Sequence, residues 1–161
     1  MRELGRGSAA FTLVELTVTV VVLSILSIAA ISLLTSIPSS ELTAVQVRVA
    51  SAVRYAQELA MTRHTVHGVA FDVAANRFTV YENGNTADPA KNPATAADFV
   101  VQLGTGKTAG VTLQSASFGG SSTVSFTPDG APAAGGSVVV AMPAAGTRTV
   151  TVLAQTGVVT P

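Results

Sequence analysis

The most informative absences in this sequence are those of cysteine and of charge. None of the 161 residues is cysteine, which excludes disulfide frameworks, thiolate metal sites and cysteine nucleophiles but leaves the compartment open. Charged residues make up 11% of the chain, which is less than half of the roughly 25% found in typical soluble domains. A chain with so little charge is expected to bury part of its surface in lipid or in an assembly.

The few charges that are present cancel. Nine basic and nine acidic side chains give a formal net charge of zero, so no overall field would attract nucleic acid or an acidic substrate. The length leaves room for one domain plus an appendage, and the hydrophobic share of 48% is ordinary. The distribution of the apolar residues is therefore more informative than their number.

A long apolar run begins close to the N-terminus. No charged residue lies between Leu16 and Ser40, and a helix of this length is about 37 Å long, enough to cross a bilayer. A helix is favoured over a strand because backbone hydrogen bonds in lipid must close within the segment. Arg2 and Arg6 outnumber Glu3, which predicts a cytoplasmic N-terminus and a translocated C-terminal part.

Glu15 is the exception in this apolar region. A secretory signal peptide, with cleavage near Ser27-Ile28-Ala29, is one alternative, but its apolar region usually spans only about 7 to 15 residues. A plain single-span anchor is another, and neither alternative explains a carboxylate that costs about 2.5 to 3.5 kcal/mol inside lipid. No Lys or Arg lies within a helical turn or two of Glu15, so its partner is expected outside the chain or at a processed terminus.

The segment Phe11-Thr12-Leu13-Val14-Glu15-Leu16 resembles the class III signal of type IV pilins and type II secretion pseudopilins. The resemblance implies that a prepilin peptidase cleaves between Ala10 and Phe11 and methylates the new amine of Phe11. It also implies that Glu15, fifth in the mature chain, pairs with the amine of a neighbouring subunit. Such a pair would fix the stagger of the subunits, because an unpaired buried charge is penalised. The family usually has glycine where this chain has Ala10.

A second helical segment follows the apolar run. Pro38 is expected to bend or break the helix, and Ser39-Ser40-Glu41 offers capping groups for a new start. The spacing of the next apolar residues predicts an amphipathic helix packed against a globular head. These apolar positions are Leu42, Val45, Val49, Val53, Ala56, Leu59 and Ala60. The polar residues Gln46, Arg48, Arg54 and Glu58 take the other side.

The series Arg48, Arg54 and Arg63 is open to two interpretations. Three cations along one helix can form a contact stripe for a partner. They can equally form an ordinary solvated face, which we favour.

Beyond His64 the pattern changes to short Val-, Thr- and Phe-rich runs between turn residues, which predicts an antiparallel sheet. The predicted strands are Val66 to Asp72, Arg77 to Glu82, Phe99 to Leu103, Val111 to Leu113, Thr123 to Thr127, Ser137 to Met142 and Thr147 to Leu153. Val150 and Val152 should face inward, with Thr149 and Thr151 outward. A tight hairpin is expected at 74–76 and a mobile polar loop at 83–97.

Together these patterns predict an α+β fold, in which a long N-terminal helix, half transmembrane and half amphipathic, packs on an antiparallel β-sheet head. The expected divisions are a cytoplasmic leader at 1–10, an assembly helix at 11–37, an amphipathic helix at 38–63 and a β-rich head at 64–161.

The head resembles the GspH/FimT group of pseudopilins. The resemblance lies in Arg54 to Ala60 running into a strand that ends at Asp72, in Phe126-Thr127-Pro128-Asp129-Gly130, and in a terminal strand pair closing at Gly157. It implies a pilin-like fold. The major pilins of the common class carry a C-terminal disulfide loop, which a chain without cysteine cannot form.

Several motifs invite other chemistry. Gly104 to Thr108 imitates the end of a phosphate-binding loop, but no helix pattern follows it. His64 and His67 have no obvious third metal ligand and are expected to be exposed at the helix-to-strand junction. Asp88 and Asp98 bracket a loop that could hold calcium but are poorly spaced for an oxygen cage. No serine lies in a nucleophile elbow, so we expect no enzyme, no metal and no cofactor.

Nucleic-acid binding is disfavoured because the cations look scattered. Lys91, Lys107 and Arg148 are far apart in the sequence, and Leu153 to Pro161 has no basic residue. A DNA-binding surface would need clustered Lys or Arg to neutralise phosphates.

The resemblance therefore implies a minor pseudopilin, an assembly subunit of a type II secretion pseudopilus. It would sit in the bacterial inner membrane with a periplasmic head before it joins the filament. Its partners would be other pilins or pseudopilins, the prepilin peptidase and the secretion or pilus machinery. The alternative is a FimT-like minor pilin in type IV pilus biogenesis or DNA uptake. An unrelated tethered β-domain would leave Glu15 unexplained.

Small residues in the apolar helix are expected to let neighbouring helices approach, although ordinary membrane-helix composition explains them equally well. They are Ser24, Ser27, Ala29, Ala30 and Ser32.

Overall fold

A computed structural model describes the backbone of residues 12–161 and the side chains of residues 12–27 and 39–161. The expected leader at 1–10 and the cleavage and methylation position at Ala10 and Phe11 lie outside the described residues. The chain divides into two compact units, 1–37 and 38–161.

One helix, α1, runs Leu13–Arg63 and contributes to both units. The helix continues through Pro38, where the sequence predicted a bend or break followed by a newly capped start. The expected restart at Ser39 to Glu41 is therefore wrong. A proline inside a helix removes one N–H donor, and its ring crowds the carbonyl four residues earlier, but the other hydrogen bonds of the helix can still form.

The head part of α1 buries the stripe that its spacing predicts. All seven apolar positions predicted between Leu42 and Ala60 are at most 8% exposed. Burial of such side chains stabilises a fold by roughly 1.5 to 3 kcal/mol each. The amphipathic helix is confirmed, and its stripe forms one side of the hydrophobic core.

Nine strands follow the helix, and seven of them lie where the sequence predicts strands. They are β1 His67–Asp72, β2 Arg77–Glu82, β3 Asn85–Pro89, β4 Val100–Gln102, β5 Thr112–Phe118, β6 Thr123–Phe126, β7 Gly136–Met142, β8 Gly146–Val152 and β9 Val159–Thr160. The hairpin between β1 and β2 is confirmed. Strands β3 and β9 were not predicted. The expected loop at 83–97 contains β3 because the edge of β2 supplies hydrogen-bond partners there.

The strands form two sheets, whereas the sequence predicted one. The first has the order β3-β2-β1-β6 with β4 also paired to β2, and the second has the order β5-β7-β8-β9. Every strand pairing is antiparallel. Val150 and Val152 of β8 are buried as predicted. The α+β architecture, a helix packed on antiparallel sheets, is confirmed.

The two sheets are joined by side chains as well as by the helix. Phe71 of the first sheet stacks on Phe118 of the second with ring centroids 5.7 Å apart. Asn76, in the β1–β2 turn with φ +51°, reaches the start of the second sheet. Its amide donates to the carbonyl of Val111 at 3.0 Å and accepts from the N–H of Leu113 at 2.7 Å. The hairpin turn therefore holds the strand that opens the other sheet.

Three polar side chains of α1 bind the main chain of the head. Gln46 donates to the carbonyl of Thr149, Arg54 to that of Val159 and Gln57 to that of Gly130, each at 2.8 to 2.9 Å. Arg63 forms an ion pair with Glu82. Arg48, Arg54 and Arg63 are all exposed, as expected for a solvated face, and Arg54 and Arg63 in addition connect the helix to strands.

A candidate assembly surface on the N-terminal helix

The described beginning of α1 is apolar on every side. Its large hydrophobic residues from Leu13 to Leu26 are between 48% and 79% exposed. A soluble amphipathic helix keeps one polar face, whereas a helix that is hydrophobic all round needs an apolar environment. An exposed apolar surface of this extent marks a site of interaction with protein or membrane. We refer to residues 12–27 as the assembly segment.

The hydroxyl groups of the assembly segment turn back onto their own helix. Thr17 and Thr19 donate to carbonyls three residues earlier, and Ser24 and Ser27 donate to carbonyls four residues earlier, all at 2.7 to 2.9 Å. These hydroxyls therefore have acceptors without water or a neighbour. In an apolar environment, where water is absent, polar groups must find hydrogen-bond partners within the protein in this way.

Thr12 and Glu15 form the start of the helix. The hydroxyl of Thr12 accepts a hydrogen bond from the N–H of Glu15 at 3.2 Å, and the carbonyl of Thr12 accepts from the N–H of Leu16 at 3.1 Å. A threonine cap with glutamate three residues on is the capping-box pattern. The Glu15 carboxylate also lies in the first turn, where the helix dipole favours negative charge.

Glu15 is exposed, and among the described residues it forms no ion pair. Sequence reasoning missed the role of Thr12, although the spacing T-x-x-E was visible. Thr12 therefore caps the helix, and Glu15 contributes its backbone N–H to this cap.

Of the small residues expected to let helices approach, Ser24 and Ser27 belong to the assembly segment and are exposed. Ala29, Ala30 and Ser32 lie outside the described side chains. Within the part of the chain that the structure describes, no helix combines the length and apolarity required of a membrane span.

The two histidines occupy different environments. His64 is exposed and has φ +53° just after α1, whereas His67 of β1 is fully buried. The expectation that both are exposed is wrong for His67, because β1 pairs on both sides and turns this position into the core. Its Nδ1 lies 3.0 Å from the Thr65 carbonyl, and its Nε2 has no partner among the described residues. In those same residues no three metal-ligating side chains come together.

The other suggestive motifs are used structurally. Asp98 pairs with Lys91, and this carboxylate raises the pKa of Lys91. Asp88 lies in β3. The stretch Gly104 to Thr108 ends in a three-residue 3-10 helix, Gly106–Thr108, so this glycine-rich stretch leads into no α-helix N-terminus.

The cations that look scattered in sequence are partly gathered by the fold. Lys107 and Arg48 line one groove beside α1, and Arg148 lines a second groove beside the same stretch of helix. Lys91 lies apart, in its pair with Asp98. Lys107 and Arg148 thus border the same stretch of α1 but line different grooves.

Comparison with known proteins bears on both parts of the chain. A family model described as type II transport protein GspH matches residues 47–157, and a model of the prokaryotic N-terminal methylation motif matches residues 5–31. No curated protein and no solved structure matches the chain. The first match covers the end of α1 and nearly all strands, and the second covers Phe11 to Leu16. The chain therefore belongs to the GspH family and carries the prokaryotic N-terminal methylation motif.

Proposed function

We propose that the protein is a minor pseudopilin, a non-catalytic assembly subunit of a type II secretion pseudopilus. The observation that carries the proposal is the assembly segment, an exposed apolar helix surface that begins within a methylation motif. The GspH match, described as a type II transport protein, favours the secretion system over a type IV pilus.

In this proposal a prepilin peptidase removes residues 1–10 and methylates the amine of Phe11. The apolar helix, including residues 28–37, holds the subunit in the bacterial inner membrane with the head in the periplasm, until the secretion machinery adds it to the filament. Lipid tails are as apolar as leucine, so packing and polar pairing must favour the filament over lipid. Four hydroxyls of the assembly segment are hydrogen-bonded to their own helix and would be satisfied equally in lipid and in the filament. They are those of Thr17, Thr19, Ser24 and Ser27.

Glu15 would supply the polar pairing. Its carboxylate lies in the first turn, at the positive end of α1, which lowers the free-energy cost of this charge in the isolated subunit. In the filament, the amine of Phe11 from a neighbouring subunit would neutralise this carboxylate. Only the stagger that brings amine and carboxylate together avoids a buried unpaired charge, so the pair would fix the position of each subunit.

The test compares two variants, Glu15→Ala and Thr12→Ala. Glu15→Ala should remain in the membrane fraction but fail to enter crosslinked pseudopilus complexes, because the pairing group is lost. Thr12→Ala removes the cap hydroxyl, worth about 1 kcal/mol, but keeps the carboxylate, so it should still assemble. Normal incorporation of Glu15→Ala would refute the pairing. An equal defect in both variants would show that helix capping alone explains Glu15.

Processing and the choice of machine are tested separately. Co-expression with a prepilin peptidase should remove ten residues from the N-terminus, as measured by intact mass. An unchanged mass would refute cleavage before Phe11. Deletion of the gene in its own host should reduce exoprotein secretion. A loss of surface pili or DNA uptake, with secretion intact, would instead identify a FimT-like minor pilin.

A further inference from the structure

The first turns of α1 within the head form an exposed ridge with a groove on each side. Ser40 and Ala44 lie on the ridge and line both grooves. One groove is closed by Arg148 of β8, and the other by Arg48 together with Lys107 of the 3-10 helix. The only acidic residue among the lining side chains is Glu41. Cations from three separate elements thus border one short stretch of helix, which we call the basic collar.

The basic collar differs from the other charged positions of the head in its pairing. Three of the seven head cations form ion pairs with carboxylates, and Arg54 and Arg148 donate to main-chain carbonyls. Among the described residues, Arg48 and Lys107 form no ion pair and donate no side-chain hydrogen bond. Both are exposed. The paired cations are Arg63 with Glu82, Arg77 with Asp72 and Lys91 with Asp98.

The acidic residues without an ion pair lie mainly at the opposite end of the head. Glu58 belongs to the last turns of α1, and Asp129 is next to Gly130, whose carbonyl binds Gln57. Asp88 lies beside the β2 end that Arg63 binds. The head carries seven cations and seven anions, so its net charge is zero while its unpaired charges are separated along the helix.

We propose that the basic collar binds the anionic phospholipid headgroups of the membrane from which the head emerges. This inference rests on the proposed function, because it requires the apolar helix before residue 38 to lie in a bilayer. The collar surrounds the turns that directly follow this helix in the chain. Helical side chains tilt toward the N-terminus, so Arg48 extends back toward Ser40 and the lipid. The unpaired acids Glu58, Asp88 and Asp129 then face away from the anionic surface.

The expected strength is modest. A Lys or Arg near an anionic bilayer contributes about a fivefold preference for the bound state, and this contribution decays within about one Debye length, some 8 Å at physiological ionic strength. Glu41 opposes part of the attraction. The docked head should therefore be in equilibrium with an undocked one, and salt should shift the balance toward the undocked head.

The experiment uses the full chain reconstituted into nanodiscs of zwitterionic lipid, with or without anionic phosphatidylglycerol. Because the chain lacks cysteine, single labels can be introduced with Thr105→Cys beside the collar and with Thr86→Cys in β3. An environment-sensitive dye at each position is quenched by lipids that carry a spin label on the headgroup. Retention after an alkaline wash reports membrane anchoring independently.

Quenching at position 105 should rise with phosphatidylglycerol and fall with salt, whereas position 86 should not respond. The double variant Arg48→Gln, Lys107→Gln should lose the response, with the docked fraction falling about fivefold for each cation removed. The matched double variant Arg77→Gln, Lys91→Gln, which changes the net charge equally, should keep it.

Equal quenching in both lipids, or equal loss in both double variants, would overturn the basic collar while leaving the anchor in place. A dye response to short duplex DNA in zwitterionic nanodiscs, without a response to anionic lipid, would assign the collar to nucleic acid instead. A chain that washes off the bilayer would refute the proposed anchoring and the collar together.

Discussion

Replacing Asn76 with alanine should weaken the connection between the two sheets of the head and lower its stability. The Asn76 amide bonds both the carbonyl of Val111 and the N–H of Leu113. Val111 is fully buried and Leu113 is 3% exposed, so water can replace the lost amide only in part, from the side where Asn76 is half-buried. Each buried polar group left without a partner costs about 1 to 3 kcal/mol. Alanine at φ +51° adds about 1 to 2 kcal/mol of backbone strain.

The expected loss of unfolding free energy is therefore about 3 to 8 kcal/mol, against a typical total of about 5 to 15 kcal/mol. Asn76→Gly should recover the strain but not the hydrogen bonds. Asn83→Ala is the matched control, because Asn83 also has positive φ, +56°, in an exposed turn. Among the described residues its side chain has no hydrogen-bond partner. Its cost should be about 1 to 2 kcal/mol.

Urea unfolding of the full chain in detergent measures these differences. The chain has two tyrosines and no tryptophan, and both Tyr55 and Tyr81 lie in the head, so tyrosine fluorescence reports head unfolding alone. If Asn76→Ala is no less stable than Asn83→Ala, the hydrogen bonds of Asn76 do not hold the sheets together and the reasoning fails.

Two further predictions use the same titration. Gly68→Ala should destabilise the head by about 1 to 3 kcal/mol, because the added methyl would clash with the carbonyl oxygen of Val124 and lie 2.5 Å from the Tyr81 hydroxyl. An unchanged urea midpoint would contradict this. The head should also lose stability at alkaline pH. Burial raises the pKa of Tyr81 from its usual 10.0, with an opposing contribution from Ser125, so the folded state holds the phenol proton more tightly. This contribution is complete below pH 10.0 and is lost as pH rises through the folded pKa. Tyr81→Phe should show a smaller alkaline decline in the urea midpoint, and an unchanged decline would exclude Tyr81 as its source.

Much of the fold could be predicted because its signals are local. The buried stripe of α1 is encoded in a three-and-four spacing, and the β8 pattern alternates with period two. The tight β1–β2 hairpin follows from the short connection at 74–76. Each of these signals depends on residues within a turn or a strand of one another.

Strand pairing between distant segments was harder to predict. Strand β3, with the sequence Asn-Thr-Ala-Asp-Pro, has low intrinsic strand propensity and a proline, and it forms because β2 offers a free edge. Strand β9 has two residues, too few for a recognisable pattern. The division into two sheets depends on which strands meet, and no single run of residues carries that information.

The same distinction applies to the candidate sites: contiguous motifs could be predicted, whereas sites assembled from distant segments could not. Phe11 to Leu16 could be recognised because the motif is contiguous, and the Thr12 cap was equally readable. The basic collar could not be, since Arg48, Lys107 and Arg148 come from three elements that only the folded head brings together. Burial of His67 likewise depends on strands pairing on both sides of β1.

The three polar side chains that tie α1 to the head have a consequence for divergence within the family. Gln46, Arg54 and Gln57 all bind main-chain carbonyls, and a carbonyl is the same whichever amino acid carries it. Thr149 is exposed, so its identity can change without weakening this contact, provided that the backbone keeps its path. Gly130, at φ +79° and against Met61, and the buried Val159 are constrained for other reasons. The position of α1 on the head thus depends on the path of the backbone at these three carbonyls, and exposed side chains such as that of Thr149 can change without moving the helix.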